Sequence, residues 1–307
     1  MIISNFFKLF VSSFAIALSL YFLQVENIPI LLKTVDSEFI FKLILINITS
    51  FILLGFRWDF LTKAHITNLS PKIFIQYMCS YIYNLISPSN LGGDAYRFLH
   101  LKKLQTNNVL ITIFVKERFI GLSSIALLLT LSTFFFIYIG FDKIEYLHIQ
   151  LVFFFSFFVF IISIYFNNNP KYILSLFSFI PFFKNLVINT ESYNRSFFNI
   201  NTAKILLLSI GAFLLRSTTI LITSNQLGIN PLLFEIIFIS SVVEIIRFIP
   251  ISIQGIGVRE ASYAIFFTYF GYSSEIGFTI GLLSYFILSI SQFIFGLVGT
   301  ILYIFYR

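Results

Sequence analysis

Charge is scarce in this chain. Only 11% of its 307 residues are charged, against 58% hydrophobic. A globular protein of this length cannot cover its water-facing surface with so few charges, so a soluble fold is excluded. Cysteine is scarcer still. Cys79 is the only one, so no intramolecular disulfide can form, and packing accounts for the residue. The three histidines, His65, His100 and His148, are scattered near the ends of apolar runs and show no metal-ligand spacing. The phosphate-binding pattern GxxxxGK[ST] is missing, which excludes a P-loop nucleotide site. No metal or cofactor is therefore expected. A basic domain outside the membrane is missing too. The net charge of +7 does not indicate a nucleic-acid partner, because lysines and arginines flanking membrane spans account for it.

What is present is apolar length. The mean hydropathy is +0.93. The runs are long and unbroken rather than alternating, which excludes an outer-membrane barrel. The expected fold is an all-α polytopic membrane protein forming a single domain over 1–307. Clear spans are Phe6–Leu23, Phe39–Phe56, Phe119–Ile139, His148–Phe166, Ile205–Thr223 and Gly281–Phe305. Each approaches or exceeds the roughly 20 residues that cross a bilayer. The first could be taken for a signal peptide, but QVENIPILLK follows it and no small-residue cleavage pattern does; it reads as a retained span. Tyr172–Ile188 is broken by Pro181 and Lys184 and reads as an interfacial helix. The 43 phenylalanines read as lipid-facing filler.

Two stretches interrupt this pattern, Ser87–Arg97 (SPSNLGGDAYR) and Pro250–Glu260 (PISIQGIGVRE). In each a glycine follows the proline by five residues, Gly93 and Gly255, and an arginine follows it by nine, Arg97 and Arg259. Non-helical backbone at membrane depth is tolerated only against protein or a wet cavity. The segments before the breaks are Ile73–Ile86, too short to cross, and Pro231–Ile249, which carries Glu235, Glu244 and Arg247. The short segments after them are Ala95–Leu104 and Ala261–Phe270. Each break is therefore expected at the tip of a re-entrant hairpin, the first over 73–104 and the second over 231–270. If Pro231–Ile249 crosses fully, the second break lies in the cytoplasm instead.

Loop charge sets the orientation. The N-terminus, 57–72, 97–108, 167–204 and Arg307 hold twelve Lys or Arg, and the opposite loops hold two, Lys33 and Lys143. The positive-inside rule then makes both termini cytoplasmic. Three crossings separate the hairpins, so the two are inverted, which in transporter folds points to a midplane site.

Residues with chemistry cluster at the same places. Glycines at a break either permit a tight turn or expose amides that bind an anion together with an arginine. This makes Gly92, Gly93, Asp94, Arg97, Gly255, Gly257, Arg259 and Glu260 candidates for a lipid phosphate or headgroup. Arg216 lies mid-span, on one face with Ser209, Thr219 and Thr223; Ser240, Glu244 and Arg247 share another. Such residues line a path or form a structural ion pair, Arg216 with Glu244. Glu117 and Arg118, next to Lys116, either join them or sit at the interface, since Phe119–Ile139 can cross alone. Glu235 follows Asn230-Pro231 and reads as a helix cap. Gly277, Gly281, Ser284 and Gly299 read as a close-packing face.

PISIQGIGVREASYAIFF resembles the most recognisable motif of the lysylphosphatidylglycerol synthase transmembrane-region family, a flippase-like family that includes the membrane part of the multiple peptide resistance factor. SPSNLGGDAYRFLHLKK followed by VKERFIGL resembles its first motif. The resemblance covers essentially the whole chain and implies a lipid-handling protein of the cytoplasmic membrane. In fused members a soluble domain makes the aminoacyl lipid. The chain ends at Arg307, directly after the last apolar run, so that synthesis is not expected of this polypeptide. The leading expectation is a translocator, or an accessory to one, for a phosphate-bearing lipid or polyprenyl-linked glycolipid, with membrane lipids and a lipid-synthesising enzyme as partners. The alternatives are a polyprenyl-phosphate glycosyltransferase and a scaffold without transport of its own.

Overall fold

The computed structural model describes residues 36–66, 72–85, 87, 91–140, 146–168, 200–247 and 255–306. The expected span Phe6–Leu23, the interfacial helix Tyr172–Ile188, Pro88, Pro250 and Arg307 lie outside these residues. Among the described residues there are nine helices and no strands: α1 Ser37–Lys63, α2 Lys72–Leu85, α3 Leu91–Leu101, α4 Asn107–Ile139, α5 Tyr146–Asn168, α6 Ile200–Gln226, α7 Leu233–Arg247, α8 Val258–Tyr269 and α9 Ser274–Phe305. Five of them, α1, α4, α5, α6 and α9, are long and apolar enough to cross a membrane. They match the five expected spans that fall on described residues.

Local chemistry sets the helix ends. Asp36 caps α1, accepting the Phe39 N–H at 2.7 Å. Ser273 caps α9 through the Ile276 N–H at 3.2 Å. The Glu235 carboxylate reaches back to the Leu232 N–H at 3.0 Å and also accepts from the Tyr272 hydroxyl at 2.7 Å, so it caps α7 as its position suggested. Gly140 ends α4 in the left-handed conformation, φ 63°.

All five long helices run further than the apolar pattern indicated, α1 and α4 the furthest. α1 continues through Arg57 and Trp58 to Lys63. α4 begins at Asn107, twelve residues before the expected Phe119, so Lys116–Arg118 sit within it. A hydropathy pattern stops where charge begins. A helix does not stop there when another helix supplies the counter-charge.

The packing has an internal symmetry. If α1, α2, α3 and α4 are exchanged with α6, α7, α8 and α9, the packing pairs map onto themselves. α1 packs on α6. α2 packs on α9, and α7 on α4. α1 meets α9, and α6 meets α4. α2 lies against α3, and α7 against α8. The two four-helix units are thus interlocked, each seating its short helix on the other's last long helix. α5 stands outside this exchange and packs on α4. It carries exposed Phe154, Phe155 and Phe158, as a lipid-facing helix must.

Glycines on α9 make the seating close. A Cβ at Gly277 would lie 2.7 Å from the Tyr263 carbonyl oxygen, and one at Gly281 would lie 2.8 Å from Glu260 Cα. Both would collide with α8. Further along, a Cβ at Gly296 would lie 2.9 Å from the Ile82 nitrogen, and one at Gly299 would run into Met78 on α2. The α9 face therefore holds α8 at one end and α2 at the other by backbone approach, the usual means of helix association in lipid.

Candidate functional site

The first break leads into a cage around Arg97. Within α4, Glu117 is 6% exposed. It accepts from Arg57 Nη2 at 2.8 Å, and Arg97 Nη1 lies 3.1 Å and 3.0 Å from its two oxygens. Asp94, one turn before Arg97 on α3, takes Arg97 Nη2 at 2.5 Å and also binds Arg118. The Arg97 guanidinium stacks 4.0 Å from the ring of Trp58, with Tyr77 and Phe114 at 5.2 Å. A planar guanidinium can be paired at its edge and stacked on its face together, which an ammonium cannot. Arg57 also reaches the Ser209 hydroxyl at 3.3 Å, tying α1 to α6.

The second break is built around Glu244 of α7. Arg247 lies 2.6 Å from its Oε1, and Arg216 of α6 lies 3.8 Å from the same atom. Glu117 and Glu244 thus play the same part in the two units, each holding two arginines. Gly255 has φ 83°, and a Cβ there would come 2.7 Å from Arg247 Nε. Gly257 has φ 80°. Its N–H donates to the Glu260 carboxylate at 2.6 Å, so Glu260 caps α8.

The glycine amides of the first break are taken up in the same way. Gly92 donates to Ser87 Oγ at 2.8 Å, and Gly93 to Asn84 Oδ1 at 2.9 Å. A side chain at either glycine would collide with α2. The Gly92, Gly93 and Gly257 amides are thus engaged within the protein, and the arginine side chains of both units line open space.

That space consists of two adjoining cavities. The larger, about 190 Å³, is lined by Arg57, Asp94, Arg97, Glu117, Arg118, Arg216 and Glu244, with Tyr81 and Gln292. The smaller, about 40 Å³, is lined by Asn47, Arg216, Ser240, Glu244, Arg259 and Tyr263. Arg216 and Glu244 belong to both, so this ion pair stands between them. Arg97 and Arg259 therefore do not face one cavity; each lines its own, on either side of that pair. Among the described residues, five arginines face three carboxylates across the combined space. Within the same set, the buried Nε atoms of Arg57, Arg97 and Arg216 have no hydrogen-bond partner. Buried donors without acceptors are costly, and an anion in the cavities would supply acceptors.

Sequence reasoning misses Arg57, Trp58 and Asn47. By hydropathy, Arg57 counts as loop charge. The signal is nevertheless there: Asn47, Ser50, Leu54 and Arg57 follow at helical spacing and make one semi-polar face. Lys116, next to Glu117 on α4, is 8% exposed, and its Nζ lies 3.2 Å from His65 Nε2.

The model of one protein family, described as the lysylphosphatidylglycerol synthase TM region, matches residues 5–296. No curated protein and no solved structure matches the chain.

Proposed function

The chain belongs to the lysylphosphatidylglycerol synthase transmembrane-region family, and from that premise we propose that it moves, or helps to move, a phosphate-bearing lipid or glycolipid between membrane leaflets. The observation that carries the reading is the pair of adjoining cavities with excess positive charge, inside a bundle whose outer faces are apolar. A lipid phosphate crossing hydrocarbon needs continuous counter-charge. Arg97 and Arg118 beside Asp94 offer it on one side of the Arg216–Glu244 pair, and Arg259 offers it on the other. Glu117 and Glu244 hold the arginines in place when no lipid is bound.

The two short-helix pairs, α2–α3 and α7–α8, are the re-entrant hairpins in this reading. Three long helices, α4, α5 and α6, separate them, so one hairpin opens to each side. Loop charge favours the cytoplasmic side of the cell membrane for the first hairpin's mouth and for both termini. The acyl chains stay in lipid while the headgroup passes through the cavities. The alternative of a glycosyltransferase gains nothing from the geometry, because the cavity carboxylates are all engaged by arginines.

The test is reconstitution. Purified chain in vesicles should render an inner-leaflet fluorescent phospholipid accessible to a membrane-impermeant quencher, well above protein-free vesicles. Accessibility equal to that of empty vesicles, with or without a candidate lipid-synthesising partner present, would refute the reading.

A further inference from the structure

Resting on that reading, we infer that the headgroup this site selects is a bare phosphate anion with no cationic group beside it, and that Arg259 is the residue that captures it. The selection follows from which charges are engaged and which are free.

Every carboxylate lining the two cavities already holds arginines. Asp94 has Arg97 and Arg118, Glu117 has Arg57 and Arg97, and Glu244 has Arg247 and Arg216. Glu260 lines neither cavity and is engaged by the Gly257 N–H. A lysyl or choline headgroup would find no cavity carboxylate that does not already hold an arginine. It would have to displace an arginine from its acid and would stand among the remaining guanidiniums. A phosphate bearing no cation meets the opposite situation.

Arg259 differs from the other cavity arginines. It is 3% exposed and lines the smaller cavity. Among the described residues its side chain makes no ion pair and no hydrogen bond, and its guanidinium lies 5.7 Å over the Tyr285 ring. Arg97, also buried, is held by two acids and three rings. A buried cation is seldom left without a counter-charge, since desolvation is not then offset. The acids nearest Arg259, Glu244 and Glu260, are engaged by Arg247 and by the Gly257 N–H, so its break presents an open cationic position, whereas Arg97 is paired directly with Asp94 and Glu117. The site discriminates by charge: one phosphate completes the set, and an adjacent ammonium cancels the benefit. The family's namesake aminoacyl lipid carries such an ammonium, so this chain is assigned a different, net-anionic cargo.

The experiment is equilibrium binding to the full chain in detergent, by native mass spectrometry or thermal shift. The probes are short-chain phosphatidylglycerol, lysyl-phosphatidylglycerol, phosphatidylcholine and inorganic phosphate. Phosphatidylglycerol should bind about tenfold or more tightly than the two lipids that carry a cation, the difference expected for one charge-assisted hydrogen bond made or broken. Arg259→Gln should abolish that preference. Equal or tighter binding of the lysyl lipid by the unaltered chain would overturn the inference, whatever the folding of the variant, and would leave lipid translocation standing. A preference retained in Arg259→Gln would also overturn it. Inorganic phosphate binding with no added affinity for the lipid would keep the anion site and instead count against translocation of a lipid.

Discussion

Glu117 is the residue whose loss should be felt most. It sits 6% exposed between Arg57 and Arg97 and is engaged at 2.8–3.1 Å by both. Glu117→Gln keeps the shape and one acceptor oxygen but removes the charge. Asp94 would then be the carboxylate left in ion-pair contact with Arg97 and Arg118, and Arg57 would lose its ion-pair partner among the described residues. Removing one partner of a buried pair typically costs about 3–5 kcal/mol, because the remaining charge is left uncompensated. At roughly 2 °C per kcal/mol for a large chain, the melting temperature should fall on the order of 6–10 °C. The assay is thermal denaturation in detergent, following the fluorescence of Trp58, the only tryptophan. The double variant Arg57→Gln/Glu117→Gln should recover part of the loss, with a coupling of about 1–3 kcal/mol. If Glu117→Gln melts within about 1–2 °C of the unaltered chain, or if the two substitutions simply add, the cage does not hold the bundle together.

Further outcomes follow from the same geometry. Arg97→Lys should lower stability by roughly 2–3 kcal/mol despite keeping the charge, because the stack on Trp58 and the second edge bond are lost; denaturation beside Arg97→Gln checks it. Gly299→Leu should prevent α2 from seating on α9 and reduce folded yield sharply, whereas Val298→Leu, on the exposed face of the same helix, should leave the yield unchanged. In a Cys79→Ser background, Lys103→Cys should label only from the cytoplasmic side and Asn230→Cys only from outside. Labelling of both from one side would invert or break the proposed topology.

The spans were legible because bilayer crossing imposes length and apolarity on a run of residues, and α5, α6 and α9 show both. The two breaks were legible for the same reason in reverse. What could not be read was partnership. Glu117 and Arg57 are 60 positions apart, and nothing local to either tells that they meet. An interfacial placement of Lys116–Arg118 is therefore as good a reading as a buried one until α1 supplies Arg57. The glycines show the limit from the other side. Gly-Gly at 92–93 indicates a special backbone, but only the positions of Ser87 and Asn84 show that both amides are engaged. Likewise the symmetric spacing of Arg97 and Arg259 suggests equal roles. Their surroundings differ, since α3 places Asp94 directly on Arg97, which also stacks on Trp58, while the acid of α8, Glu260, is taken up by the Gly257 N–H.

If the arginines around the Arg216–Glu244 pair carry a lipid phosphate across the membrane, neutralising them must slow its passage. The decisive measurement is leaflet accessibility of a fluorescent anionic phospholipid in vesicles holding the unaltered chain, Arg216→Gln or Arg259→Gln, with equal insertion verified for each. Inner-leaflet lipid should be exposed rapidly with the unaltered chain, and the rate should fall by at least about tenfold with either variant, the effect of losing one charge-assisted hydrogen bond at the barrier. Undiminished exposure with both variants would mean that these arginines do not carry the phosphate.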